Sequence, residues 1–125
     1  MIVPILAQFF YGEIDSIADE VGKNTNTKDL AITKGNKGCE IFNFRDDNVK
    51  KANFPALISD DNVVDRVGAG DSFFAITALL SYVNAPVEVI GFIGNIAGAM
   101  STTIISNEKS IKFSDIYKTV QTLLK

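Results

Sequence analysis

Val63-Val64-Asp65-Arg66-Val67-Gly68-Ala69-Gly70-Asp71-Ser72-Phe73-Phe74-Ala75 is the stretch on which the fold turns. Two β-branched residues, Val63 and Val64, end a predicted strand. Gly68, Ala69 and Gly70 are small enough to form a turn in which backbone N–H groups converge on one point. Asp71 then falls in the first turn of a helix predicted over 71–82. A helix N-terminus with free N–H groups attracts anions, phosphate above all. A carboxylate beside that point is placed to take a proton from a hydroxyl that attacks phosphorus. The chemistry implied is phosphoryl transfer to an alcohol.

Composition sets outer bounds on this reading. A chain of 125 residues is one domain at most. Its net charge of −3 and the lack of a basic run argue against nucleic acid as a partner. A single cysteine, Cys39, excludes an internal disulfide framework and fits a reducing compartment. With no histidine in the chain, proton transfer falls to carboxylates, lysine, tyrosine or Cys39. Residues 1–10 are apolar but lack a basic front and a cleavage pattern, and 87–100 are too short to span a bilayer. The expectation is a soluble, cytoplasmic protein without membrane contact.

Hydrophobic spacing outlines the elements. Ile14, Ile17, Ala18 and Val21 share a helical face, opposite Asp15, Asp19 and Glu20. Residues 22–27 read as a loop and 30–33 as a short buried strand. A turn over 35–38 leads to an alternating strand over 40–44, then a turn and an exposed strand over 49–54 that Pro55 ends. Helices follow at 71–82, from Pro86 to about 105, and from a Ser114 cap, the last with Ile116, Val120, Leu123 and Leu124 on one face. Strands dominate the first half and helices the second, which predicts an α/β fold with three layers.

Two familiar phosphate loops fail here. The dinucleotide fingerprint would need a glycine at Phe73, and no Gly-x4-Gly-Lys-Ser/Thr spacing exists. The pattern that fits is longer. Asp65-Arg66-Val67-Gly68-Ala69-Gly70-Asp71 resembles the Asp-Thr-x-Gly-Ala-Gly-Asp signature of the ribokinase-like (PfkB-type) carbohydrate kinases. Thr33-Lys34-Gly35-Asn36-Lys37-Gly38 is similar to that family's Thr-x-Gly-x-x-Gly nucleotide loop. Asn95, followed by Ala97, Gly98 and Ala99, resembles the small-residue helix that borders its adenine pocket.

The resemblance implies a ribokinase-like three-layer α/β/α fold, with residues 1–125 forming the C-terminal nucleotide-binding and catalytic portion. A complete member is more than twice as long, and its first half supplies most sugar contacts and a β lid. Met1 is therefore expected to mark an expressed fragment, a truncated reading frame or a subunit of a split protein. The implied donor is ATP with Mg2+, the implied acceptor a sugar or sugar phosphate, and the implied partners the N-terminal half or a second copy. Ile90-Gly91-Phe92-Ile93-Gly94-Asn95 looks similar to kinase modules fused to nucleotidyltransferases, including heptose-phosphate kinase relatives.

Residue roles carry over by position. Asp71 is implied as the base, and the N–H groups of Gly68, Ala69, Gly70 and Asp71 as the anion hole. Asp65 matches an aspartate tied to a monovalent cation site, K+ by expectation. Arg66 replaces the usual threonine there, and Ser106-Asn107 stands where many members carry Gly-Ala. Thr33, Gly35 and Gly38 match nucleotide-contacting positions, and Asn95 an adenine neighbour. Plainer roles stay open for each: a helix cap for Asp71, a strand-end turn for Asp65, a hairpin turn for Thr33 and Gly35, a contact with a neighbouring helix for Asn95. Lys34 is left between solvent and a phosphate. Gly91, Gly94 and Gly98 weaken their helix by about 1 kcal/mol each, for which close packing on the strands or the adenine ring would compensate. Cys39 is expected as a packed thiol, at least one of Phe73 and Phe74 in the core, and Tyr11, Tyr82 and Tyr117 only in packing roles. A non-catalytic nucleotide-binding or interaction module descended from a sugar kinase is the competing reading, and a dinucleotide-dependent oxidoreductase is disfavoured by the failed fingerprint.

Overall fold

A computed structural model describes residues 5–6, 14–58, 62, 67–103 and 110–125. A four-stranded sheet has the order β1-β2-β3-β4. β1 (Ile5–Leu6) runs parallel to β2 (Asp29–Thr33), and helix α1 (Ile14–Thr25) lies between them in the chain. β2, β3 (Cys39–Asn43) and β4 (Lys50–Phe54) form an antiparallel meander. Helices α2 (Ala69–Tyr82), α3 (Val87–Thr102) and α4 (Phe113–Leu123) follow.

The period-two alternation of the central strands sends successive side chains to opposite faces and so builds the layers. Ala31, Cys39 and Ile41 pack with Phe73 of α2 and with Val87 and Ile90 of α3. Leu30, Ile32 and Phe42 pack with Ala18 of α1, flanked by Ile14, Val21 and Phe44. The result is α1 on one face and α2 with α3 on the other, the expected three-layer α/β/α arrangement. A third cluster joins Ile96 and Ala97 to Ile116 of α4. β4 is an edge strand whose outer residues include Lys50 and Lys51, charges that blunt unwanted pairing.

Several expectations shift by identifiable causes. α1 continues through Gly22 to Thr25, where a loop was expected. A methyl group at Gly22 would strike the Phe44 ring, so the glycine is a packing residue, and tertiary contact overrides its weak propensity. The helix stops at Asn26, whose φ is +51°. α2 begins at Ala69 rather than 71, so Ala69 and Gly70 are helical and Gly68 alone holds the left-handed turn. α4 is capped at Lys112, not Ser114: the Asp115 carboxylate accepts the Lys112 N–H at 3.3 Å. Leu123 and Leu124 are exposed, since the buried face of α4 is confined to Ile116 and half-buried Val120. Tyr82 and Tyr117 are exposed too and do not pack as expected. Phe73 is core and Phe74 is not. The strand expected to end at Val63-Val64, and Tyr11, lie outside the described residues. Among the described residues no helix is long and apolar enough to cross a membrane.

A polar knot inside this frame had no sequence signal. Asp29, at the start of β2, is 1% exposed. Its carboxylate accepts hydrogen bonds from Asn43 Nδ2 at 2.5 Å, from Arg45 Nη2 at 2.5 Å and from the Ser81 hydroxyl. Arg45 also donates to the Ser81 carbonyl at 3.1 Å. A buried carboxylate is tolerated only when paired and hydrogen-bonded in this way.

Candidate functional site

Gly68 has φ +85°, a left-handed conformation that glycine adopts without a Cβ penalty. It leads into α2 and places Asp71 in the first helical turn, with its side chain exposed. The first bond of the helix is donated by Ser72 N–H to the Gly68 carbonyl at 2.9 Å. The helix therefore offers no acceptor to the N–H groups of Ala69, Gly70 and Asp71, and Gly68, at the N-cap, has no side chain to cap them. A Cβ at Gly70 would meet nothing within 4 Å among the described residues. Gly68, Ala69, Gly70 and Asp71 are thus together at the start of α2. Ser72 ties this end to α3 through its hydroxyl, 3.2 Å from that of Ser101.

The second candidate group lies where β2 turns into β3. Thr33 ends β2 and pairs with Cys39, and Lys34 N–H donates to the Gly38 carbonyl at 2.8 Å to close the turn. Gly35 has φ +58° with open space around it. Gly38 has φ +90°, and a side chain there would overlap the Phe54 carbonyl. The close approach at Gly38 is thus to the end of β4, while that at Gly35 is to open space.

Lys34 takes neither expected role. Its ammonium donates to Glu40 Oε1 at 2.8 Å and Asn53 Oδ1 at 3.0 Å, stitching the turn to the two following strands. Glu40 is buried, and its Oε2 accepts no hydrogen bond among the described residues, with Lys51 Nζ at 3.8 Å. The Asp15 carboxylate, 2.5 Å away, pushes the Lys51 ammonium above its usual pKa. Sequence spacing carries no trace of this cluster, because Glu40 and Asn53 meet through the register of β3 with β4 while Lys34 and Asp15 join from a turn and from α1.

Asn95 donates from Nδ2 to the Pro55 carbonyl at 2.6 Å. It contacts the exit of β4 rather than a neighbouring helix, and it anchors the segment against which Gly38 packs. Further along α3, a Cβ at Gly98 would lie 3.6 Å from the Ala69 carbonyl. Residues 95 and 98 are one turn apart, about 5 Å along the axis. α3 thereby bridges the glycine turn after β2 and the start of α2. Gly91 and Gly94 serve packing: side chains there would strike the Phe54 ring, and Thr77 with Phe73. Cys39 is a packed thiol, with Sγ 3.9 Å from the Gly91 carbonyl and its pKa pushed up to about 12 by burial. Asp65, Arg66 and Ser106-Asn107 lie outside the described residues.

Solved structures share this architecture. The chain superposes on ribokinase from Thermotoga maritima with a TM-score of 0.70 and 22% identity, covering 92% of this chain and 37% of that one. Phosphofructokinase-2 from Escherichia coli, solved in complex with potassium, gives 0.75 and 18%, covering 99% and 41%. Ribokinase from Arabidopsis thaliana, complexed with ribose and ATP, gives 0.69 and 20%, covering 87% and 35%. The chain therefore spans about two fifths of the length of these proteins. A search of curated proteins found no match. The family model of the pfkB family carbohydrate kinases matches residues 7–111, a span that holds the glycine turn, the start of α2 and Asn95. On that match the chain belongs to the pfkB family of carbohydrate kinases.

Proposed function

We propose that this chain is the C-terminal nucleotide-binding and catalytic portion of an ATP-dependent kinase that phosphorylates an alcohol group of a sugar or sugar phosphate. One observation carries the reading: α2 starts at a left-handed glycine that has no capping side chain, with an exposed carboxylate in its first turn. Backbone donors fixed in advance stabilise the charge that spreads over the equatorial oxygens of a transferring phosphoryl group. The N–H groups of Gly68, Ala69, Gly70 and Asp71 fit that task. Asp71 accepts the proton of the acceptor hydroxyl as its oxygen attacks. Thr33 and Gly35 hold the nucleotide from the turn after β2. Gly38 and Asn95 set the position of that turn through Phe54 and Pro55, and Asn95 keeps its Oδ1 for the base. ATP supplies the phosphoryl group, and Mg2+ enters as the counter-ion of its phosphates. Asp65 is assigned to a K+ site beside the anion hole. The cytoplasm, where ATP and sugars meet, is the proposed location.

The test compares two variants in the sugar-phosphorylating protein. Asp71→Asn preserves size and helix start but cannot take the proton. It should lower sugar-dependent ADP formation by about 10²–10⁴-fold and leave nucleotide affinity near wild type. Gly70→Val fills the space over the N–H groups and should weaken nucleotide binding. Equal nucleotide affinity in both variants, or near-normal turnover in Asp71→Asn, would overturn the assignment.

A further inference from the structure

The ion cluster around Glu40 lies on the other side of the sheet from α2 and α3. Cys39 and Ile41 pack toward those two helices, so Glu40, between them, points to the side of α1, as Phe42 does. Asn53 stands opposite Glu40 on β4, and Lys51 opposite Phe42, with its ammonium 5.6 Å from the centre of that ring. Lys51 then reaches Asp15 of α1. Lys34 joins this cluster from the turn between β2 and β3. Its side chain is 14% exposed and that of Glu40 9%, so their ion pair is held mostly out of water. Lys34 sits between Thr33 and Gly35, the two residues assigned to the nucleotide, yet its ammonium is committed to the α1 side. There its charge is paired with that of Glu40, so it adds little to the attraction for a phosphate on the opposite side.

We propose that Lys34 is a positioning residue for nucleotide binding: tied to Glu40 and Asn53 on the α1 side of the sheet, it holds the turn from Thr33 to Gly38 in the conformation that receives ATP, and it touches no phosphate itself. The inference rests on the assignment of nucleotide to that turn given above. Gly35 and Gly38 both have positive φ, and glycine gives a turn wide backbone freedom. The two acceptors of Lys34 belong instead to paired strands, where the ladder of β3 with β4 fixes them. One long side chain thus ties the pliant segment to the rigid one, with a direction that an apolar side chain could not impose. Lys51 makes the tie separable from the fold. Its ammonium, 3.8 Å from Glu40 Oε2, still balances that carboxylate when Lys34 is removed, so no buried charge is stranded.

Steady-state kinetics of the sugar-phosphorylating protein, joined to amide exchange at the turn, tests this. Lys34→Met should raise the ATP KM about tenfold, the result when about a tenth of the molecules hold the competent turn, and leave kcat and the sugar KM near wild type. The amides of Lys37 and Gly38, which donate to the carbonyls of Lys34 and Gly35, should exchange faster. Lys34→Arg can still reach both acceptors and should restore most of the affinity. Glu40→Leu separates positioning from contact with phosphate, because it removes the anchor and frees the ammonium. Positioning predicts a raised ATP KM in Glu40→Leu; a phosphate-binding lysine predicts an unchanged or lowered one. That second result overturns the inference alone, as does Lys34→Met with wild-type ATP KM and wild-type exchange. A fall in kcat with the ATP KM unchanged overturns it too. Faster exchange with both kinetic constants unchanged overturns it together with the assignment of nucleotide to this turn, so the two failures give different results.

Discussion

Cys39 shows how a single side chain reports on its surroundings. Burial raises its pKa from 9.0 to about 12. Between those values the unfolded chain has released the thiol proton and the folded protein has not, so rising pH favours unfolding. Below 9.0 the thiol contributes no slope. Denaturation of wild type and Cys39→Ala from pH 8 to 11 should show an additional loss of stability in wild type above pH 9, and parallel curves would contradict it. Gly38 offers a second residue-scale test. Its φ of +90° and the adjacent Phe54 carbonyl both resist a side chain. Gly38→Ala should destabilise by about 2 kcal/mol or more in urea unfolding. The packed thiol was legible from the apolar strand around Cys39 and the absence of an activating histidine. The partner of Gly38 was not, because a glycine that avoids its own chain and one that admits a ligand are identical in sequence. Lys34 was illegible for a related reason: Glu40 and Asn53 reach it only through the register of β3 with β4.

The elements themselves were largely written in periodicity. α1, β2, β3, β4, α2 and α3 fall within a few residues of their expected places, because their apolar positions recur at helical or strand spacing. What spacing could not resolve was the job of each glycine on α3. Gly94→Ala would press a methyl group into Thr77 and Phe73, at a cost of about 1–3 kcal/mol. Gly98→Ala meets its neighbours at 3.6 and 3.8 Å, ordinary contact, and should gain up to about 1 kcal/mol from helix propensity. Thermal melts of the two variants should therefore move in opposite directions from wild type. A shared direction would mean that α2 and α3 are not packed through Gly94 as described. The start of α2 was the most legible part of the site, since Gly68, Gly70 and Asp71 sit in order. The helix began two residues early because alanine and a strain-free glycine joined it.

Taken as one body, the molecule has three layers and about two fifths of the length of the solved proteins it resembles. Positioning two reactants contributes about 7–11 kcal/mol to a bimolecular reaction, and on the proposed function a chain of two fifths the length forfeits much of that. The 125-residue chain alone should bind ATP weakly and phosphorylate no sugar efficiently. Calorimetry with ATP and magnesium, beside an ADP-release screen over sugars, measures both, and robust turnover by the chain alone would refute the expectation. The knot at Asp29 has a bearing on how such a site keeps its aim. α2 has the proposed phosphate site at one end and the knot at the other, with Ser81 about 15 Å from Asp71 along the axis. A rod against a sheet can err by creeping lengthwise or by rolling. Either movement would pull the Ser81 hydroxyl and carbonyl off Asp29 and Arg45 together. The tail of the helix thus works as a locating pin, and the muzzle holds its alignment because the breech is bolted to the first full strand of the sheet.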